Sequence, residues 1–330
     1  AVSTNALVVN TTASNNTAVG FESLCSNTTG TANSSIGRHS LRDNTTGNCN
    51  TGLGHNALRA NTEGEFNTAV GNNALLSNTT ADNNTAVGYQ SLCANTTGIN
   101  NVALGSQALD ANTTADDNTA IGYQSMTANT TGTLNTSVGR HSLFVNTTGI
   151  CNTAIGLSAL RCNTTASNNT AVGINASVLN TTGDLNTAMG QCAMYSNTVG
   201  DRNVAIGASA LREYNPSSNQ DSYNVAVGQQ SQVSGTTVCQ NTSVGGLSLR
   251  DNITGTTNTA IGFCALAKNT NVDCNTAVGA YSMRQNTTGA CNTAVGRNSL
   301  CNNTTASNNT AIGFCSLFAN TTGVSNTAVG

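Results

Sequence analysis

Twelve cysteines, three histidines and a recurring Asn-x-Thr tripeptide are the parts of this 330-residue chain whose chemistry reaches beyond packing. Cysteines at this density, in a chain with only 8% charged residues, point to an oxidising compartment. By their places relative to a closing turn, Cys291 with Cys301, Cys151 with Cys162, and Cys25 with Cys49 are the expected intrachain disulfides. Cys192, Cys264 and Cys315 share another position, but Cys264 and Cys315 lie three repeats apart. At strand spacing that is roughly 14 Å, beyond disulfide reach, so these three are expected as free thiols or interchain bridges.

No CxxC occurs, and no histidine accompanies the cysteines, so neither a zinc site nor any cofactor is expected. His39 and His141 fill one slot six repeats apart and His55 the slot before it, which makes no cluster. Without a Ser-His-Asp set, paired carboxylates, a phosphate-cradling glycine loop or a calcium repeat, the expectation is a protein that is not an enzyme. The tripeptides beginning at Asn27, Asn44, Asn78, Asn95 and Asn286 are glycan acceptors if exposed in a secretory pathway. The alternative is that a turn needing Asn and Thr creates them by accident.

The elements that position these residues are set by a repeat. Asn16-Thr17-Ala18-Val19-Gly20 returns every seventeen residues, with Gly at 20, 37, 54 and so on to 207, then at 228 after one 21-residue step, and on to 330. Such a period predicts an all-β repeat protein, a parallel β-solenoid of nineteen coils read as one elongated domain over residues 1–330. Each coil is expected to hold one main strand (NTA[VI]G), a short helical or irregular segment, and an NTTG turn. The turn's Asn and Gly suit left-handed backbone. Nineteen coils at about 4.8 Å would give a rod on the order of 90 Å long.

Counting from the glycine as position 0, position −4 is Asn in every coil and position −1 is always aliphatic. In three coils the Thr17 position becomes Val, at Val102, Val204 and Val225, so Thr17 and Val19 are expected inward with Leu24 as the core. The Ala18 position stays Ala, Ser or Gly. We therefore expect a lateral neighbour along Ala18, Ala69, Ala86 and Ala120, the competing account being crowding by the coil's own turn. Stacked Asn side chains are expected to form ladders, most strongly at Asn16, with Gly20 bounding the strand. Positions +1 to +6 read as a helical or 3₁₀ turn, or as an irregular second strand. The 208–227 coil carries a protruding loop at 214–223, and in the next coil the apolar residue moves from +4, now Gln232, to Val233.

The Asn-Thr-Ala-Val-Gly-Tyr-Gln-Ser-Leu pattern of residues 84–92 resembles repeat arrays of phage and other viral tail-fibre proteins. The 224–235 unit is similar to the head repeats of trimeric autotransporter adhesins, a resemblance that implies left-handed trimeric β-rolls. The coil here is longer, and no stalk, anchor or chaperone segment is recognisable. Together these readings predict a structural fibre or filament subunit, extracellular or on a cell or virion surface. It would associate with itself laterally, as a trimer or end to end. An adhesin contacting a receptor or glycan through Tyr89, Tyr123, Phe263 and Phe314 is the alternative, with an ice-binding solenoid behind it, disfavoured because the strand threonines are expected inward. Net charge −3 and the lack of a basic stripe or long apolar run argue against nucleic acid and membrane insertion. The opening Ala1-Val2-Ser3, without Met or a signal peptide, reads as a mature or excised chain.

Overall fold

In Thr-Ala-Val, β-branched and aliphatic residues flank a small one, a composition that favours extended backbone. The computed structural model describes residues 3–218 and 221–330 and places a three-residue strand at each such site, from β1 (Thr17–Val19) to β19 (Thr327–Val329). The chain is a parallel β-solenoid with seventeen residues per coil and no helix among the described residues. It divides into two compact units, 1–165 and 166–330. The first holds β1 to β9 (Thr153–Ile155), the second β10 (Thr170–Val172) to β19. Within each unit, successive strands pair in parallel, like residue on like residue: Thr68 on Thr85, Ala69 on Ala86, Val70 on Val87.

The strands face the opposite way from the expectation. Ala18, Ala69, Ala86 and Ala120 are sealed inside the coil, whereas Thr17 and Val19 point to solvent. The small side chains are small because they abut the Ser/Ala position +3 within the coil's own interior. Where Ser replaces Ala the contact becomes a hydrogen bond, Ser23 Oγ to Ser35 Oγ at 2.7 Å. At Gly52 an added Cβ would lie 2.5 Å from Ser40 Oγ. Crowding by the coil itself, not a neighbouring chain, therefore explains this column, and no lateral contact through it remains available.

Leu24 and its equivalents fill the rest of the apolar interior as expected. Their segment, however, is neither helical nor a second strand. Position +2 and position +4 both adopt left-handed backbone, as at Glu22 (φ 54°) and Leu24 (φ 50°), so the chain alternates handedness instead of coiling. A left-handed L-residue costs roughly 1–2 kcal/mol, and intercoil bonds offset it: Leu24 N donates to Ser40 O at 3.1 Å, and His39 N to Phe21 O at 2.9 Å. Gly20 is required on two counts, a φ of 130° and a position where a Cβ would come within 2.5 Å of Gly37 O. The turn glycine Gly30 is not left-handed. Its place is taken by Ala81 and Ala115 elsewhere, so the position admits a methyl group, and what recurs there is a carbonyl that accepts from the Asn27-column amide.

Two asparagine columns complete the interior. In the Asn16 column the Oδ1 accepts the backbone N–H one coil on, as Asn33 N to Asn16 Oδ1 at 2.8 Å, while the Nδ2 generally reaches a turn carbonyl, as Asn33 Nδ2 to Gly47 O at 2.9 Å; Asn309 Nδ2, near the last coil, is buried without a partner. The ladder of amide on amide is strongest in the other column, that of Asn27: Asn44 Nδ2 donates to Asn27 Oδ1 and Asn61 Nδ2 to Asn44 Oδ1, both at 2.8 Å. Buried amides satisfied in this way contribute to stability, whereas unpaired ones would cost it.

The 21-residue coil departs from the ladder without losing register, since Val204 still pairs with Val225. Tyr214 takes the Asn27 position and is fully buried, its hydroxyl bonded to Ser222 Oγ. Asn215 Oδ1 replaces the missing turn carbonyl by accepting from Thr198 N and Oγ1. Of the predicted loop 214–223, Asn219 and Gln220 lie outside the described residues; Ser217 and Ser218 are exposed. In the following coil the apolar position does not shift. Gln232 occupies the buried leucine column, Val233 is half-buried, and Val238 closes over Gly235.

Candidate functional site

The outward strand face is the most regular surface on the chain. Thr17 and its equivalents form one column and Val19 and its equivalents another, with Val19, Ile36, Leu104, Ile155, Met189 and Ile261 all more than a third exposed. Thr51, Thr68 and Thr85 stack over three consecutive coils, and their hydroxyls have no protein partner, which leaves them to water. The inward placement assigned to these threonines from sequence is thereby reversed, along with the reason for disfavouring an ice-binding surface.

The glycan sites do not present themselves. Asn27, Asn44, Asn78, Asn95 and Asn286 are all fully buried, each amide engaged with the next coil and with the turn carbonyl three residues on. The turn creates the tripeptides, and the folded coil hides their acceptor nitrogens.

None of the expected disulfides is formed; all twelve cysteines are free thiols. Cys291 is exposed while Cys301 is buried, Cys151 exposed while Cys162 is half-buried, and Cys49 exposed while Cys25 is half-buried, so the proposed partners sit at different depths. Coil geometry juxtaposes like positions in successive coils, and by that rule Cys274 and Cys291 are neighbours. Cys291 N donates to Asp273 O at 3.4 Å, and one coil earlier in the column Thr257 Oγ1 lies 3.4 Å from Cys274 Sγ. Cys192 and Cys315 are half-buried and Cys264 is buried. Burial raises the Cys264 and Cys301 thiols above their ordinary value, against the opposing pull of Arg284, which makes them weak nucleophiles.

Two of the three histidines do come together: the His39 and His55 rings are 6.2 Å apart, and Phe21 lies 5.6 Å from His39 on its other side. Desolvation lowers the His39 value, with Arg38 adding to it and Glu22, 3.4 Å away, opposing. Among the described residues no group of three or more His, Cys, Asp or Glu is placed to hold a metal, and no helix is long and apolar enough to cross a membrane.

One open cleft, of about 360 Å³, lies in the second unit across three consecutive coils. Arg284 and Arg297 line it with the amides of Gln285 and Asn298 and the rings of Tyr281 and Phe318. Arg284 sits over the Tyr281 ring, 5.4 Å from its centroid. Beyond Asp273 the chain contains no acidic residue, and these two arginines are its only charged side chains. Sequence reading missed this group because its members occupy different positions, +1, +2, +5 and +6. The signal was the acid-free stretch itself.

The aromatic residues singled out from sequence, Tyr89, Tyr123, Phe263 and Phe314, are all exposed, but at one position of separate coils and not as a single patch. Arg140 lies 6.0 Å from the Tyr123 ring, and Phe263 meets Tyr281 edge-on at 5.5 Å. No protein-family model matches the chain, and no curated protein matches it at a significant level.

Proposed function

We propose that the chain is a structural segment of an extracellular fibre or filament, at a cell or virion surface, in which stacking of identical coils is the function. The observation carrying this reading is the buried asparagine ladder. A polar interior that only a neighbouring coil can satisfy makes each coil depend on the next, which is the energetic pattern of a solenoid. The resemblance to tail-fibre arrays supports the same reading. Negative-stain images of the purified chain, with limited proteolysis alongside, test it. Slender particles resistant to cleavage within coils are expected; rounded particles or cleavage throughout the coils would sink the reading.

A second reading, adhesion, is favoured by the cleft of Arg284 and Arg297. Paired guanidinium groups suit the carboxylate or sulfate of an acidic saccharide, amides suit its hydroxyls, and the rings of Tyr281 and Phe318 suit its C–H faces. An acidic-glycan array should show binding that is lost in Arg284→Ala/Arg297→Ala. Neutral sugars bound equally well, or binding unaffected by the double variant, would exclude the cleft.

A further inference from the structure

We propose that the outward Thr-x-Val face binds the surface of ice. In every coil the outer strand residue at −3 is Thr, Ser or Val and the one at −1 is Val, Ile, Leu or Met, and neither column contains a charged side chain. Two adjoining columns of uncharged, partly apolar side chains repeated at this regularity mark an interaction surface.

The chemistry of the face selects the partner. The threonine χ1 is stiff because its Cβ is branched, so each hydroxyl is held in place before anything binds. In-register pairing repeats these hydroxyls at the strand spacing, about 4.8 Å. Water oxygens hydrogen-bonded tetrahedrally at about 2.75 Å have second neighbours about 4.5 Å apart. Over a few rungs, a row of threonine hydroxyls therefore stays in step with a row of such oxygens. The aliphatic column alongside holds methyl groups at the same repeat, where they can sit in the spaces of a water lattice without competing for its hydrogen bonds. Thr51, Thr68 and Thr85 have no protein group to satisfy their hydroxyls, so an ordered water layer already has its anchors.

A second copy of the chain fits less well. A strip two side chains wide and nearly alike in every coil offers no distinct anchor residue of the kind that dominates a specific protein interface, whereas a crystal face needs only repetition. The rank of Thr80, Thr97 and Thr114 is exposed too, but its own column carries a charged residue, Glu63, in the coil just before Thr80.

Thermal hysteresis and inhibition of ice recrystallisation, measured on the full chain, test the proposal. The triple variant Thr51→Lys, Thr68→Lys, Thr85→Lys should lose most of the activity, while Thr80→Lys, Thr97→Lys, Thr114→Lys should keep it. Circular dichroism and melting of both variants report whether the coils remain intact. Two results would overturn the proposal: no activity in the parent chain, or equal loss in both variants with folding preserved. Sedimentation showing a dimer that the first variant alone dissociates, without ice activity in the parent, would assign the face to a second copy instead.

Discussion

Asn44 Nδ2 donates to Asn27 Oδ1 at 2.8 Å across one coil and to Gly47 O at 3.0 Å within its own turn. The same pair of bonds recurs at Asn78, with Asn61 Oδ1 and Ala81 O. Asn78→Ala should therefore destabilise the fold by about 1–3 kcal/mol for each buried group it leaves unpaired, read as a lower urea midpoint. Thr80→Ala, on the exposed neighbour, should leave the midpoint nearly unchanged. Intact-mass analysis of folded protein exposed to an oligosaccharyltransferase should find Asn44 and Asn78 unmodified; a glycan on either in folded protein would contradict their burial.

The inward strand position should reject volume that the outward ones accept. Ala86 is fully buried against the coil's own wall, and Ala86→Leu should cost at least about 1–3 kcal/mol from overpacking. Val87→Thr, one residue along and facing water, should change thermal stability by less than about 0.5 kcal/mol. Equal effects at the two sites would mean that the strand faces are assigned the wrong way round.

Gln232 occupies the leucine column, fully buried, with neither amide atom hydrogen-bonded. Gln232→Leu should raise the melting temperature, since removing a buried unpaired polar group recovers about 1–3 kcal/mol. A fall in stability would show that the amide has a partner, such as an internal water.

Cys274 and Cys291 are exposed and occupy the same position in successive coils. At a strand-like separation of about 4.8 Å their Cα atoms fall within the range a disulfide spans. Oxidised glutathione should therefore convert this pair first, joining the 274 and 291 peptides in a digest, with two glutathione thiols released per disulfide formed. Cys274→Ser should leave Cys291 as its thiol or as the mixed disulfide with one glutathione, releasing one glutathione thiol, with no crosslinked peptide. A first disulfide between any other pair would refute the stacking rule.

Cys93 is pushed up from 9.0 to about 11 by burial, with the Asp110 carboxylate adding to the shift. The folded chain thus keeps its thiol proton where the unfolded chain releases it. Stability should be unaffected by this group below pH 9 and should decline as pH rises from about 9 to 11. Cys93→Ala should remove that part of the slope. Asp110→Asn should shift the Cys93 alkylation profile toward lower pH.

The repeat alone determined the coil length, the place of each strand, the leucine core and the glycine that closes the strand, because periodicity survives in one dimension. Which strand face turns inward was not decided there. Thr and Val at Thr17 and Val19 look like a core by composition, and Ala18 looks like a docking stripe. Only the closed coil shows that its interior is too narrow for anything larger than Ala or Ser beside Ser23 and Leu24. The Asn-Thr-Thr turn was legible as a turn, yet its Asn could be read as a glycan acceptor until the stacking of Asn27 under Asn44 placed it inside. Cysteine partners were likewise beyond the sequence, since spacing along the chain says little about depth within the coil. What the tertiary structure decided in each case was direction: three left-handed or glycine positions at Gly20, Glu22 and Leu24 bend the backbone so sharply that inward and outward cannot be inferred from alternation alone.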